Sequence, residues 1–392
     1  MTRLHPASAG SVIAKITSVS QSSWLDRCFA ARDRLLADAR FQRWAAAFPL
    51  TRRVARRRAQ ALFDLCAGFV YSQVLLACIE LGVFEILSKQ PQTVAQLSRQ
   101  LSLSTQATQR LLDAAASLRL VARRGPDRFG LGVLGAALLG NPAVAAMVEH
   151  HRLLYADLND PVALLRGAGR DTALARYWPY AGADCPDALT SDQVRNYTAL
   201  MSASQALIAG DVLDAYPLHV HRRLLDVGGG EGTFLIAAAS LAAELEVVLF
   251  DLPAVADQAR TRFAAAGLSH RAEAIGGDFL SQSLPQGADI VSLVRVIHDH
   301  DDGAALGLLR NVHRALPRDG TLLIAEPMAD TSGAESVGNA YFGFYLLAMG
   351  SGRPRSQDEL GRLARQAGFN RVRPLPTRRP MLTQALVAHR SN

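Results

Sequence analysis

The stretch LLDVGGGEGTF, residues 224–234, joins an apolar run to the predicted start of a helix. Its glycines Gly228, Gly230 and Gly232 permit a sharp turn and let a ligand lie against bare backbone. Nicotinamide enzymes also use glycine-rich loops after a strand, so the loop alone does not identify its ligand. Glu231 lies within the loop, and a carboxylate there favours a cationic or zwitterionic ligand over a pyrophosphate.

Strand-like and helix-like segments alternate along the chain from Arg222 onward. This alternation predicts a doubly wound α/β domain, in which ligands bind at the carboxyl ends of the strands. A capping box at Ser356 and Glu359 predicts a last helix that ends at Gly368. Two extended segments follow and are expected to form a hairpin, unlike the end of a dinucleotide dehydrogenase. The predicted strands are RRLLDVG, EVVLFD, AEAIGG, ADIVSLV and GTLLIAE.

Acidic residues end two of these strands. Asp251 closes EVVLFD, where a carboxylate can accept hydrogen bonds from both hydroxyls of a ribose. Asp278 follows the next strand, in GGDF, where it is expected to help place an adenine ring. The order of glycine loop and two acids therefore predicts a nucleoside-containing ligand.

The segment SLVRVIHDHDD, residues 292–302, places two histidines and three aspartates at the end of a predicted strand. Imidazole and carboxylate are ligands for zinc and iron, so a metal site is one interpretation. An imidazole with a pKa near ~6.5 also accepts protons at neutral pH, which is the other interpretation. Asp301 and Asp302 suit the first turn of the following helix, where carboxylates complement the helix dipole.

The N-terminal half is helical by pattern. Residues 25–48 predict one amphipathic helix, and residues 61–87, which are apolar nearly all round, predict a helix pair buried in a core or against another subunit. Residues 93–123 resemble a helix-turn-helix followed by a wing. DNA-binding proteins share that pattern, but Arg110 is the only basic group on the second helix, which argues against nucleic-acid recognition.

The net charge of +7 is concentrated at the N-terminus. Residues 1–60 hold twelve Lys/Arg and three Asp/Glu, a net charge of +9, which leaves −2 for the remainder. This arm, densest in TRRVARRR (residues 51–58), suits an anionic membrane surface or nucleic acid, or is a solvated helix face. The four cysteines lack disulfide or zinc spacing, and no signal peptide or membrane span is evident, which predicts a cytoplasmic protein.

Five motifs follow one another in the order and spacing of a known family: LLDVGGGEGTF, LFDLP, GGDF, VRVIHDHDD and LLIAEP. The chain resembles the S-adenosylmethionine-dependent O-methyltransferases of the caffeate/acetylserotonin type, over about residues 61–390. The resemblance implies a Rossmann-like methyltransferase domain, a winged-helix-like dimerisation domain and a homodimer. The segments RFQRWAAAFPLTRRVARRRAQALFDL and GFVYSQVL are similar to the bacterial 1-hydroxycarotenoid (hydroxyneurosporene) O-methyltransferases.

The resemblance also implies the site residues. His298 falls on the family's catalytic base, and Glu326 falls on the carboxylate that orients the imidazole. His300 replaces the family's tryptophan, and Pro354 replaces a second orienting glutamate. No metal is expected, because metal-dependent methyltransferases gather carboxylates from separate loops and HDHDD is one turn. The expected contacts with S-adenosylmethionine are Asp226, Gly228, Gly230, Gly232, Asp251, Asp278, Phe279 and Arg295, and Tyr197 and Met201 are expected to line the cofactor and acceptor pocket.

The sequence thus predicts an α/β enzyme with a basic arm (residues 1–60), a dimerisation domain (61–215) and a methyltransferase domain (216–392). The predicted reaction is methylation of the hydroxyl of a 1-hydroxycarotenoid, in carotenoid biosynthesis. A soluble phenolic or polyketide acceptor, and a winged-helix regulator that kept a cofactor domain, are the alternatives. The predicted partners are a lipophilic acceptor, a second copy and an anionic surface at the inner face of the cytoplasmic membrane, without nucleic acid.

Overall fold

The computed structural model describes residues 24–167, 171–178, 180 and 188–390. Contacts divide the chain into two compact units, residues 1–74 and residues 75–392, which are described separately. This division leaves the domain boundaries at residues 60 and 215 as predictions. The N-terminal part of the predicted basic arm, residues 1–23, lies outside the described residues.

The N-terminal unit is helical. It contains helices α1 (Trp24–Ala37) and α2 (Ala39–Ala47) and the first part of α3 (Arg52–Glu80). The single helix predicted over residues 25–48 is therefore wrong at Asp38. The Asp38 side chain accepts the backbone N–H of Phe41 at 2.8 Å, which caps a new helix instead of continuing the old one.

Helix α3 exposes much of its apolar surface: Leu62, Phe63, Leu65 and Phe69 are each more than 60% exposed. An 18-residue window of α3 has a mean hydropathy of 1.8, so by length and composition this helix is able to cross a membrane. The prediction that nothing spans a bilayer does not hold on those criteria. Core helices of soluble proteins meet the same criteria, so length and composition are weak evidence for a span.

The first part of the C-terminal unit contains the predicted helix-turn-helix and wing. Helices α5 and α6 are each capped by a side chain, Thr93 and Ser104, and Thr93 forms a capping box with Gln96. The wing is a three-stranded sheet of order β1-β3-β2. The elements are α4 (Val83–Lys89), β1 (Gln92–Thr93), α5 (Val94–Leu101), α6 (Thr105–Ser117), β2 (Val121–Arg123), β3 (Arg128–Leu131), α7 (Val133–Leu139), α8 (Pro142–Asp157), α9 (Pro161–Leu165), α10 (Ala173–Tyr177) and α11 (Ser191–Ala215).

The pair α7 and α8, bent by 97°, also meets the membrane-span criteria when it is counted as one span. The bend follows from sequence, because Asn141 precedes Pro142 and a residue before proline is restricted away from the α region.

The rest of the C-terminal unit is a seven-stranded sheet of order β6-β5-β4-β7-β8-β10-β9. The first five are parallel, and β10 pairs antiparallel with both β8 and β9, which confirms the predicted hairpin. The strands are β4 (Arg223–Val227), β5 (Glu246–Asp251), β6 (Ala272–Gly276), β7 (Ile290–Val294), β8 (Thr321–Glu326), β9 (Phe369–Leu375) and β10 (Gln384–Arg390). The helices are α12 (Thr233–Leu241), α13 (Pro253–Ala265), α14 (Asp302–Ala315), α15 (Gly343–Met349) and α16 (Gln357–Gln366), with a π-helix at Ser336–Phe342.

Strands β7 and β8 are buried along their whole length, which explains their continuous apolar sequence. Two apolar cores cover the two faces of the sheet, one around Phe234 and Phe263 and one around Leu293 and Leu309. Each such side chain contributes about 1.5–3 kcal/mol on burial. The cores fix the sheet, and the carboxyl ends of its adjacent strands β4 and β7 meet where a doubly wound sheet binds ligands.

Candidate active site

A cavity opens at the carboxyl ends of strands β4, β5 and β7. It contains about 960 Å³ of empty space, its open mouth included, which is large enough for a nucleoside cofactor. Eight of the residues predicted to contact cofactor or acceptor line it together: Tyr197, Met201, Gly228, Gly230, Asp251, Asp278, Phe279 and Arg295. Two other predicted cofactor contacts, Asp226 and Gly232, do not line it, nor do the predicted catalytic residues His298 and Glu326.

The glycine loop turns between β4 and α12 with positive φ at three of its glycines. At Gly228, φ is 71° and an added Cβ would lie 2.9 Å from Val296, so the backbone reaches a position that a side chain would block. At Gly232, φ is 78° and an added Cβ would collide with the ring of Phe263. Gly232 therefore serves the packing of α12 against α13 instead of lining the cavity.

Asp251 lies where β5 ends and holds the glycine loop. One carboxylate oxygen accepts the N–H of Gly230 at 2.8 Å and the other accepts the N–H of Leu252 at 2.7 Å. Burial raises the pKa of Asp251 to about 6, against the opposing effect of these two hydrogen bonds. Asp278 faces the same cavity, and its carboxylate accepts hydrogen bonds from the N–H of Leu280 and the hydroxyl of Ser281.

Asp226 lies beneath the loop and not on the cavity wall. Its side chain is fully buried, and one oxygen accepts the Ser292 hydroxyl at 2.6 Å. The other oxygen has no hydrogen-bond partner among the described residues, and an added Cβ at Gly229 would collide with it. Burial raises the pKa of Asp226 to about 7. Its position fits support of the loop, with the cavity on the other side of the backbone.

Glu231 lines the cavity but does not offer it a free charge. Its carboxylate forms an ion pair with Arg262 on α13, which lies 31 positions further along the chain. Arg262 therefore compensates part of the charge that Glu231 brings to the cavity, and the preference for a cationic or zwitterionic ligand over a pyrophosphate stays a prediction for this residue.

The cavity wall also carries Tyr197, Met201 and Arg295. The guanidinium of Arg295 donates to the Ser204 hydroxyl at 2.7 Å and to the sulfur of Met201 at 3.2 Å. Arg295 adopts φ = 60°, in the left-handed region that non-glycine residues seldom occupy, at the end of β7. This turn redirects the chain from the strand into the segment that carries His298.

His298 lies on a 3₁₀ turn at Ile297–Asp299, just after β7. Its side chain is buried, with Nε2 3.3 Å from Oδ1 of Asp299 and Nδ1 3.6 Å from Oε2 of Glu326. The other oxygen of Glu326 accepts the backbone N–H groups of Ile297 and His298. Glu326 therefore faces Nδ1, as the resemblance implies, while Asp299 lies beside Nε2 and also lines the cavity.

The electrostatics of this turn act on His298. Burial favours the neutral imidazole, but the carboxylates of Asp299 and Glu326 outweigh it and raise the pKa of His298 above its ordinary value. At 3.6 Å the Glu326 contact is longer than a hydrogen bond, and Nδ1 has no hydrogen-bond partner among the described residues. The effect of Glu326 on the imidazole is therefore ionic.

The segment Ser351–Arg355 holds the turn of His298 through hydrogen bonds to its backbone. Buried Arg355 donates to the carbonyl oxygens of Ile297 at 2.9 Å and His300 at 2.7 Å, and it pairs with Asp302. Arg353 donates its backbone N–H to the carbonyl of His298 at 2.9 Å. Pro354 lies within this segment, so the segment that lacks the family's second glutamate instead holds the backbone of the turn that carries His298.

Two further expectations concern this turn. Asp301 and Asp302 begin helix α14, as predicted. His300, which replaces the family's tryptophan, lines the cavity and packs edge-on against the ring of Phe279 at 5.5 Å. Among the described residues, no group of three or more His, Cys, Asp and Glu is arranged to hold a metal ion.

Comparison with known families identifies the family of the chain. A family model described as the O-methyltransferase domain matches residues 155–370, and a model described as the O-methyltransferase dimerisation domain matches residues 63–141. The chain belongs to the S-adenosylmethionine-dependent O-methyltransferases. The predicted family, fold class and cofactor are thereby confirmed, and the dimerisation domain supports a homodimer.

Relatives of this O-methyltransferase cover most of its length. It is 42% identical to the demethylspheroidene O-methyltransferase of Cereibacter sphaeroides over 361 residues, 91% of this chain and 94% of that protein. It is 33% identical to the acetylserotonin O-methyltransferase of Mus musculus over 331 residues, 80% of this chain and 84% of that protein. The crystal structure of human N-acetylserotonin methyltransferase in complex with SAM matches with a TM-score of 0.71 at 25% identity, covering 86% and 98% of the two chains.

The residues of the O-methyltransferase cavity fit S-adenosylmethionine. Side-chain-free backbone at Gly228 and Gly230 makes room for a ligand at the start of helix α12. Asp251 and Asp278 offer carboxylate oxygens to hydroxyl or amino groups, and Phe279 offers an apolar ring. These five residues, with Arg295, are the ones that would hold the cofactor.

Three residues of this neighbourhood were not predicted: Asp299, Tyr180 and Arg355. Asp299 follows His298 directly, so its closeness was available from the sequence. The Tyr180 hydroxyl donates to Asp299 at 2.9 Å across 119 positions, and no spacing pattern indicates such a pair. Arg355 is fully buried, and an arginine beside the missing glutamate position was a signal that the segment had another role.

Proposed function

We propose that this O-methyltransferase methylates the hydroxyl group of a 1-hydroxycarotenoid. The 42% identity to demethylspheroidene O-methyltransferase, across 94% of that protein, is the observation that carries the proposal. A second demethylspheroidene O-methyltransferase, from Rhodobacter capsulatus, is 41% identical over 343 residues. The identity to the acetylserotonin enzyme is lower, at 33%.

The wall of the cavity supports an apolar acceptor. Trp178, Tyr180 and Tyr197 pack ring against ring on this wall, with centroids 5.3–5.9 Å apart. Aromatic and aliphatic side chains bind an apolar chain, and a few polar groups orient its functional end. Asp299 and Tyr180 supply such polar groups beside His298.

We propose His298 as the base for this reaction, with Glu326 as the residue that orients it. When bound, S-adenosylmethionine supplies an activated methyl group. The acceptor hydroxyl must lose its proton as its oxygen attacks, and Nε2 of neutral His298 takes that proton. For this step Nε2 exchanges its contact with Asp299 for the acceptor hydroxyl. Glu326 stabilises the imidazolium that forms, as carboxylates do for catalytic histidines.

Alignment of the acceptor oxygen with the methyl group contributes more to catalysis for an alcohol than for a phenol. The reason is that an alcohol is the weaker acid, so removal of its proton before attack is less favourable. The glycine loop, fixed by Asp251, and the turn of His298, fixed by Arg355, are the two parts that set the distance between oxygen and methyl group. Holding two reacting groups in line supplies a large part of the barrier reduction in such transfers.

The test is incubation of the purified protein with S-adenosylmethionine labelled in the methyl group and a panel of acceptors. The panel contains a hydroxylated carotenoid in detergent, the same carotenoid without its hydroxyl, and a soluble phenol. Label transferred to the hydroxycarotenoid alone supports the proposal. Label transferred preferentially to the phenol moves the function to a soluble acceptor, and no transfer to any hydroxyl overturns both.

A further inference from the structure

The N-terminal unit exposes both aromatic rings and arginines on its three helices and the turn between α2 and α3. We call these residues the basic-aromatic surface. Its apolar members lie on α1, on α2 and in the turn that follows: Trp24, Leu25, Phe29, Trp44, Phe48 and Leu50. Its basic members are on the first turns of α3: Arg52, Arg53, Arg56, Arg57 and Arg58.

The apolar members are strongly exposed. Trp24 is 75% exposed, Trp44 is 52% exposed and Leu50 is 82% exposed. The apolar residues of α1 recur at intervals of four and seven positions, so Trp24 and Cys28, like Leu25 and Phe29, share one side of the helix. At the end of α2 the rings of Trp44 and Phe48 stack with their centres 5.0 Å apart. Isolated exposed apolar residues are ordinary, but an exposed cluster of aromatic rings marks an interaction site.

The net charge of the surface is positive. Residues 24–60 contain ten arginines and three aspartates. No ion pair joins Arg52, Arg53, Arg56, Arg57 or Arg58 to a carboxylate within residues 24–167, 171–178, 180 and 188–390. The guanidinium of Arg32 lies over the Phe29 ring, 5.0 Å from its centre, so even within α1 a cation accompanies an exposed ring.

A second copy of the chain is not the natural partner for this surface. The dimerisation family model begins at residue 63, after the last arginine of the surface. The arginines also repel their own copies, because the surface is basic on both partners. An anionic lipid leaflet complements both components, since it attracts arginines electrostatically and accepts Trp and Phe rings at its headgroup boundary.

We infer that the basic-aromatic surface docks the enzyme reversibly on an anionic membrane, with the rings in the headgroup region and the arginines against acidic headgroups. This extends the proposed function, because a carotenoid acceptor is dissolved in the bilayer, but the binding itself requires no methyl transfer. It also assigns a use to the arm that the family's reaction does not need.

The experiment is sedimentation of the full-length protein with vesicles. Phosphatidylcholine vesicles and vesicles with about one quarter phosphatidylglycerol are compared at low salt and at about 0.5 M salt. The expected result is binding to the acidic vesicles alone and release at high salt, because screening shortens the reach of the arginines. Equal binding to neutral vesicles, or none to either, overturns the inference.

Two variants with matched controls locate the surface. Replacing the five arginines of α3 by Gln is expected to lower the vesicle partition coefficient by about 10³-fold, since each basic side chain near an acidic leaflet contributes roughly a factor of five. The control replaces five exposed arginines of the C-terminal unit by Gln and removes the same charge: Arg310, Arg318, Arg365, Arg371 and Arg373. This control is expected to bind as the wild type does, and equal loss in both variants reduces the effect to net charge and overturns the inference.

The apolar component is tested in the same way. Trp24→Gln, Phe29→Gln and Trp44→Gln together are expected to weaken binding at least about tenfold. The control is Val220→Gln, Leu241→Gln and Met381→Gln, which replaces three exposed apolar residues of the C-terminal unit. Unchanged vesicle binding of the first triple variant would show that the aromatic rings do not contribute to docking.

Other partners appear as distinct outcomes. Protein that stays with vesicles through high salt and alkaline carbonate is embedded through α3, which overturns reversible docking. Tighter binding to duplex DNA than to acidic vesicles also overturns it. Conversion of a dimer to monomers by the arginine variant, without loss of vesicle binding, assigns the surface to a second copy.

A final comparison separates this inference from the proposed function. The arginine variant is expected to methylate a detergent-dissolved acceptor at the wild-type rate and a vesicle-embedded acceptor more slowly. If neither protein methylates the carotenoid, the proposed acceptor is wrong while the sedimentation result stands by itself. If both proteins methylate the embedded acceptor equally, docking has no role in its capture and that part of the inference fails.

Discussion

Oδ1 of Asp299 lies 3.3 Å from Nε2 of His298, closer than Glu326 lies to the other ring nitrogen. The imidazole therefore has a carboxylate on each side, although Pro354 stands where the family has a second glutamate. Asp299 also accepts the Tyr180 hydroxyl and lines the cavity, so it connects the buried histidine to the space that an acceptor enters.

Replacement of the proposed base is the most direct test of the site. His298→Ala is expected to lower kcat by roughly 10²-fold or more, because a general base contributes about that much. The affinity for S-adenosylmethionine should stay close to the wild-type value, since His298 does not line the cavity. Calorimetry and initial rates measure the two quantities, with exposed His270→Ala as the control. Unchanged turnover would exclude His298 as the base.

The pH dependence of kcat reports the charge on His298. Only the neutral imidazole accepts a proton, and the pKa of His298 is raised above its ordinary 6.5 by Asp299 and Glu326, against burial. The rate should therefore fall as the pH drops through a value above 6.5. Asp299→Asn removes one negative charge, lowers that pKa and shifts the acidic limb to lower pH. An acidic limb that stays in place in this variant would contradict the assignment.

Asp251 is expected to matter for the cofactor. Asp251→Ala should weaken binding of S-adenosylmethionine by about 1.5–3 kcal/mol, because it removes charge-assisted hydrogen bonds and releases the N–H of Gly230. Asp257→Ala, an exposed aspartate on α13, is the control. Isothermal calorimetry on folded protein gives the difference, and equal affinities in the two variants would remove Asp251 from the site.

Arg355 is expected to act as a positioning residue. Arg355→Met leaves the carbonyls of Ile297 and His300 without their donor and should lower kcat about tenfold or more at nearly constant cofactor affinity. Each unpaired buried acceptor also costs about 1–3 kcal/mol of stability, so thermal unfolding is measured in parallel.

Arg353→Met is the matched control for this variant, because the Arg353 side chain also pairs with Asp302 but its guanidinium does not reach the two carbonyls. Arg355→Lys should restore part of kcat. A fall in rate that merely follows the folded fraction of Arg355→Met would leave Arg355 with a structural role alone.

Much of the fold was readable from the sequence because its signals are local. Fully buried strands need continuous apolar runs, as in β7 and β8, and capping boxes such as Ser356 with Glu359 mark helix starts through a spacing of three residues. The prediction of one helix over residues 25–48 was wrong because the apolar residues keep helical spacing across Asp38. The Asp38 side chain nevertheless caps a new helix.

The site was less readable because its decisive contacts join distant positions. The glycine loop and the acids at the ends of β5 and β6 were predicted to share one cavity, because each follows a strand of the same predicted sheet. The pairing of Glu231 with Arg262, and of Asp299 with Tyr180, depends on how helices pack over the sheet. Periodicity and spacing do not indicate such contacts, so the arginine partner of Glu231 was not predicted.

Arg355 anchors the turn at residues 297–300 through main-chain oxygens, so the anchoring does not depend on the side chains of the turn. Carbonyl groups are the same whatever side chain a residue bears, so exchanging His298, Asp299 or His300 leaves the anchoring bonds available. Gly352, in contrast, packs so closely on the His298 carbonyl that an added Cβ would collide with it. Libraries that seek new acceptors can therefore vary position 300, which lines the cavity, while His298 and Asp299 are kept for the proposed proton transfer and positions 352 and 355 are kept for the backbone of the turn.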